Sequence, residues 1–188
     1  CHGDHIQEVE RLSAELFDVT KKYHGLGERE RLLLRIAAIL HDCGKFISSS
    51  RETQSCYQII MATEIIGISH LEREIVANVV YYYNQDFAYD AVKLESDLSQ
   101  YEGSGLTRRA VTILIAKLTA ILSLASAMDR SQRQKFAGAS MAVRDGKLLI
   151  TASCPETIIL ERASFENRAE FFEEIFGLQP VLKHKRRV

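Results

Sequence analysis

Residues 28–45, ERERLLLRIAAILHDCGK, carry an apolar helical pattern that ends in two ionisable groups. Leu32, Leu33, Ile36, Ala37 and Leu40 recur at three- and four-residue spacing, which predicts an amphipathic helix over Glu28–Cys43. Gly44 permits a sharp exit. His41 falls four residues after Ala37 and eight after Leu33, so it lies on the stripe that faces a core. Asp42 follows it at the helix end, and Lys45 places a cation just beyond. A buried imidazole or carboxylate is costly unless it is paired or bound to a metal. A lone histidine on such a stripe is more often a satisfied core residue, and an aspartate at a helix end more often a cap. The contiguous His41-Asp42-Cys43-Gly44-Lys45 is more specific than either.

The same test picks out two more positions. His5 lies four residues before Val9 and seven before Leu12, in a pattern that predicts a first helix over residues 5–24, stopped by Gly25 and Gly27. Asp129 lies four residues after Ala125 and seven or eight after Leu122 and Ile121. It falls near the end of the strongest predicted helix, Thr107 to about Arg130. Further helices are expected near 54–66 and 70–83, and the charged stretch 86–106 has no resolved pattern. The texture changes near residue 135. Strands at Ser140–Val143 and Leu148–Ala152 flank an Asp145-Gly146 hairpin turn. An amphipathic helix over Phe165–Phe176 ends at Gly177, and Pro180–Lys183 is expected as a third, edge strand. The expected fold is therefore mainly α. A helical bundle over residues 1–134 is followed by a small α+β domain over 135–188, a short antiparallel sheet plus a helix.

The chain has 188 residues and a formal net charge of -1, so overall charge gives nucleic-acid binding no support. Cys1, Cys43, Cys56 and Cys154 are scattered, which suggests reduced thiols and a cytoplasmic setting. No signal peptide is visible, and the apolar run over Val111–Met128 is interrupted by Lys117, Thr119, Ser123 and Ser126, so no membrane span is expected. The chain opens at Cys1 without a methionine and reads as a piece of something longer.

Two histidines and two aspartates brought together from three helices would resolve their burial cost jointly. Their mixed nitrogen and oxygen donors suit a single divalent metal such as manganese, iron, nickel or zinc, with magnesium as a further option, and favour these over calcium. Such a metal lowers the pKa of a bound water and supplies hydroxide for attack on a phosphate ester.

An initial His5, then His41-Asp42-x-Gly44-Lys45, then a distal Asp129 resemble the HD superfamily of metal-dependent phosphohydrolases. A narrower resemblance covers essentially the whole chain. HIQEVERLSAELFD at 5–18, LHDCGK at 40–45, LASAMDRS at 124–131 and FFEEIFG at 171–177 look like the C-terminal region of exopolyphosphatases and guanosine pentaphosphate phosphatases. The resemblance implies an HD-like helical bundle with metal ligands His5, His41, Asp42 and Asp129. It also implies an ATPase-like phosphatase core upstream, and a homodimer. That family carries histidines where Gln54 and Tyr83 stand here, so a second metal position is not expected, and one metal at most is.

Three functions follow. The chain would help bind polyphosphate or a guanosine polyphosphate, with Lys45, Arg51, Arg130 and Arg133 as phosphate contacts and hydrolysis performed elsewhere. Alternatively, it would be an active single-metal phosphohydrolase, with Asp42 and Lys45 acting in catalysis. Lastly, it would be a structural dimerisation module, using Tyr81–Tyr83 and helix 107–129 for core or interface.

Overall fold

The computed structural model describes residues 2–44 and 52–187. Its most apolar helix, α6 (Arg108–Met128), occupies the centre. Thr107 caps it by accepting a hydrogen bond from the Ala110 amide at 3.1 Å. From Ile115 to Met128 nearly every side chain is buried, including Thr119 and Ser123, which the sequence reading took as interruptions. By length and composition α6 is after all long and apolar enough to cross a bilayer. Here 72% of that apolar window is packed inside the fold, as in the core helix of a globular domain.

Four helices pack on α6: α1 (His2–Val19), α3 (Glu28–Leu40), α5 (His70–Tyr82) and α7 (Ile159–Phe176). Helix α4 (Glu52–Ala62) leans on α5. Val9, Leu12, Leu16 and Phe17 of α1 are sealed against this core. The expected single helix over 5–24 divides at Thr20, whose hydroxyl donates to the Leu16 carbonyl at 2.6 Å and loosens the ladder. A short turn, α2 (Lys21–His24), follows and closes on Gly25 at φ 64°. Helix α3 ends at Leu40, three residues early, and His41–Gly44 form a turn.

The stretch between α5 and α6 contains only two short 3-10 turns, Tyr89–Ala91 and Leu98–Tyr101. Side chains of α5 hold it in place. Fully buried Glu74 accepts from the amides of Glu95 at 2.6 Å and Ser96 at 3.1 Å. Asn78 donates to the Lys93 carbonyl at 2.9 Å and accepts from the Lys93 amide at 3.1 Å. The tyrosines at 82 and 83 are buried, so that run and α6 serve the core.

The C-terminal unit holds β1 (Ser140–Arg144), β2 (Lys147–Ser153), α7 and β3 (Gln179–Lys185), in sheet order β1-β2-β3. Asp145 and Gly146 both take positive φ, 51° and 73°, the geometry that suits a two-residue hairpin. Strand β3 pairs with β2 in parallel, not antiparallel as expected, because α7 carries the chain back to the starting end of the sheet. Pro180 sits on this edge strand. Helix α7 begins six residues earlier than expected. Its first turns are pinned by Glu161, which is fully buried, lies 3.3 Å from Lys135 Nζ and accepts from the Ser131 hydroxyl. Burial alone would raise the Glu161 carboxyl; Ser131, a backbone amide and Lys135 outweigh it and hold the group below its ordinary range. Helix α7 lies along α6, β1 touches α1, and one apolar core runs from Val9 to Leu182.

His24 offers a test of this packing. It is buried, with Nε2 2.8 Å from the Phe17 carbonyl and Nδ1 accepting from the Leu26 amide at 2.9 Å. Both bonds require the neutral ring, and burial pulls its pKa below 6.5 despite the Phe17 bond. The unfolded chain therefore binds more protons below that value. The stabilising contribution is complete above it and is lost as pH falls. The thermal midpoint should drop between about pH 7.5 and 5.5, and His24→Gln should flatten part of that slope. Parallel melting curves by circular dichroism for the two proteins would refute the assignment.

Candidate metal and phosphate site

His5 from α1, His41 and Asp42 from the turn after α3, and Asp129 at the end of α6 meet in one buried cluster. None is more than 5% exposed, so the burial cost is real and must be met by partners. His5 Nδ1 lies 2.7 Å from Asp129 Oδ2, and His41 Nδ1 lies 2.5 Å from the Ala38 carbonyl oxygen. Each of these acceptors requires a proton on Nδ1. That leaves the lone pair of both rings on Nε2. The two Nε2 atoms stand 3.3 Å apart. Asp42 reaches both, with Oδ2 3.6 Å from His5 Nε2 and Oδ1 3.5 Å from His41 Nε2.

Three electron-pair donors thus converge, and the ligand atoms of His5, His41 and Asp42 all lie within 4.8 Å of one another. Such a set is satisfied by a cation, either a divalent metal or a shared proton. The mixture of two imidazoles and one carboxylate fits a first-row divalent metal with open positions.

Asp129 stands one step back from this set. Its Oδ2 is on the far ring nitrogen of His5 and also accepts from Gln134 Nε2 at 3.2 Å, while Oδ1 accepts from the Gln134 amide at 2.8 Å. It orients and polarises His5, in the arrangement by which a carboxylate behind a metal-binding imidazole fixes its tautomer. The turn that supplies Gln134 is strained: Gln132 and Gln134 adopt φ of 58° and 51° without being glycine. The Gln132 amide donates back to the Asp129 carbonyl at 2.9 Å and helps to hold it.

The cluster forms one wall of a polar cavity of about 340 Å³. His5 and Asp42 line it, as do Tyr83, Asn84, Ser123 and Arg130 of the bundle, and Ser164 and Arg168 of α7. Tyr83 packs edge-on against His41, with ring centroids 5.4 Å apart. Of the four cations expected to meet phosphate, Arg130 is on the cavity, whereas Arg133 is exposed and does not line it. Lys45 and Arg51 lie outside the described residues. Gln54 is exposed and does not line the cavity.

Arg168 escaped the sequence reading, although the signal was there. It falls three residues after Phe165 and four before Phe172, on the apolar stripe of α7. Burial lowers the pKa of its guanidinium, Tyr83 and Asp86 oppose that shift, and nearby Arg130 adds to it. Its Nη2 donates to the Asn84 side-chain oxygen. Neither Arg130 nor Arg168 makes an ion pair among the described residues. Two guanidinium groups on one cavity have the chemistry to receive an anion.

A helical bundle that gathers His5, His41 and Asp42 at a cavity lined by Arg130 and Arg168, closed by a small α+β unit, defines a mainly α protein built around a polar cavity. The chain belongs to the family Ppx/GppA phosphatase, domain III, which it matches over residues 2–158. No curated protein matches it. The matched span contains His5, His41, Asp42, Asp129 and Arg130; the whole of α7, with Arg168, lies beyond it.

Dialysis against manganese or zinc, followed by elemental analysis, should return about one metal per chain. His41→Ala should abolish this. Asp129→Asn should retain a bound metal, with affinity lowered about 10–100-fold. Metal lost completely in both variants would make Asp129 a direct ligand, and no metal in the wild type would remove the metal reading.

Proposed function

We propose that this domain binds the phosphate chain of polyphosphate or of a guanosine polyphosphate on behalf of an exopolyphosphatase-type enzyme. One observation carries the reading: two arginines without ion-pair partners among the described residues, Arg130 and Arg168, line the same cavity as the His5 and Asp42 cluster. A terminal phosphate held there accepts bidentate bonds from the arginines, and Ser123, Ser126 and Ser164 in the lining offer neutral donors. Family membership supports a phosphate-chain ligand and an ATPase-like phosphatase core as the covalent partner, with a second copy of the chain as a further partner.

Binding to a polyanion by arginine releases counterions, so affinity for long-chain polyphosphate should fall steeply with salt. Arg130→Ala and Arg168→Ala should each weaken binding and reduce the slope of log affinity against log salt by about one. Titration calorimetry at several salt concentrations measures both. A slope unchanged by either substitution would place the chain elsewhere on the surface.

The convergence of three lone-pair donors favours a second reading, hydrolysis at a single metal. A bound divalent ion would supply an activated water at the open face of the cavity. His5 and His41 would hold it, Asp129 would keep His5 in the correct tautomer, and Arg130 and Arg168 would neutralise the phosphate being attacked. Orthophosphate release from tripolyphosphate should then require manganese and fall at least about 100-fold in Asp42→Asn. Release that survives this substitution at the wild-type rate would leave binding as the sole function.

A further inference from the structure

The small sheet has two unlike faces. Leu148, Ile150, Ala152 and Leu182 point from one of them into the core beneath α7, and all four are buried. The alternate positions of the strands form the other face. Strand pairing sets its side chains in rows. Arg144 stands opposite Lys147 at the hairpin end, and Leu149 stands opposite Val181 in the next row. Lys183 and Lys185 follow on β3 at successive two-residue steps. The four cations are exposed, whereas Leu149 and Val181 are half-buried. No aspartate or glutamate occupies a position on this face; Asp145 in the hairpin turn and Glu156 beyond β2 flank its ends. None of the four cations has an ion-pair partner among the described residues. Arg186 and Arg187, also exposed, continue the line past the end of β3. The formal net charge of -1 conceals this segregation, because the exposed carboxylates Glu166, Glu170, Glu173 and Glu174 are carried by α7, behind the sheet. No residue of the face lines the cavity that holds His5 and Arg168.

We propose that this face is a docking surface for single-stranded nucleic acid, held through its phosphate backbone and with little regard to base sequence. Cations grouped on one surface with no carboxylate among them favour a polyanion, whatever the charge of the whole chain. Two residues of a strand advance about 6.6 Å, close to the phosphate repeat of an extended single strand. Lys183 and Lys185 therefore meet consecutive phosphates. Arg144 and Lys147 lie two such steps before Lys183, with the row of Leu149 and Val181 between them. A nucleotide that spans this gap lays its sugar over apolar side chains. Inorganic polyphosphate repeats its charge at a much shorter interval and would set bare phosphate on Leu149 and Val181, where its desolvation is not repaid. No aromatic ring stands on the face, so the stacking that strengthens base contacts is missing and the backbone carries the affinity.

Fluorescence anisotropy of a labelled oligouridylate with the whole chain tests this. At low salt the Kd should be about micromolar, and log affinity should fall against log salt with a slope of roughly -3, as four phosphate contacts on a single strand require. Lys183→Gln combined with Lys185→Gln should weaken binding about tenfold or more and reduce the slope by more than about one. Leu149→Ser should weaken binding by a smaller factor and leave the slope as it is. Lys22→Gln, at an exposed cation on α2, should change neither. Thermal melting by circular dichroism checks that each variant is folded. Absence of binding at low salt would overturn the proposal, as would binding that survives the double substitution, which would place the strand elsewhere. Long-chain polyphosphate, added at equal phosphate concentration, should displace the labelled strand less well than unlabelled oligouridylate does. Equal or better displacement would make this a polyphosphate surface and overturn its assignment to nucleic acid.

Discussion

The contact between His5 and Asp129 joins the first helix of the bundle to the end of its last, 124 residues away in sequence. Its length of 2.7 Å, at a position almost without solvent, fixes which nitrogen of His5 carries the proton. That decides the character of the site. With Nδ1 committed to Asp129, Nε2 turns its lone pair on His41 and Asp42, a set of donors with the chemistry to hold a cation. Moving the same proton to Nε2 would turn the cluster into a self-contained hydrogen-bond network. Helices α1, α3 and α6 must therefore be held in register, and the apolar faces built from Val9, Leu12, Leu34, Ala37, Leu122 and Ala125 do this.

The C-terminal unit supports the same geometry from the other side. Glu161 ties α7 to Ser131 and Lys135, the residues that flank the strained turn at Gln132 and Gln134. Gln134 in turn bonds both oxygens of Asp129. A chain of charge-assisted hydrogen bonds thus runs from α7 through the turn to His5. The strain in the turn is tolerable because it is held at both ends.

The sequence reading located most of this because the informative residues break an otherwise apolar helical pattern. His5, His41 and Asp129 stand where the period of α1, α3 and α6 asks for a hydrophobic side chain, and each proves to be buried. Periodicity identifies a buried polar residue but does not say which of its neighbours it faces, so the contact of Asp129 with the Nδ1 of His5 was not legible. Glu161 and Arg168 break the stripe of α7 in the same way; their polarity hid the first turns of that helix and the second arginine. Arg133 was drawn in by closeness in sequence to Arg130, and it lies exposed between the two left-handed residues Gln132 and Gln134. The parallel pairing of β3 depends on a crossover through α7, which local pattern does not report. The segment between α5 and α6 lacks a period because it is held by Glu74 and Asn78 of a neighbouring helix and not by its own apolar face.

The crossover also orders events in time. Strand β3 pairs with β2 only after the intervening α7 has formed and come to rest, a pairing some thirty residues apart that closes late compared with the local contacts within a helix. The bundle can therefore assemble its histidines and aspartates before α7 docks. At that stage the cavity has Arg130 but not Arg168. A nascent or partly opened chain gathers His5, His41 and Asp42 with Arg130 alone beside them. The cavity thus gains its second arginine only once α7 has come to rest on α6.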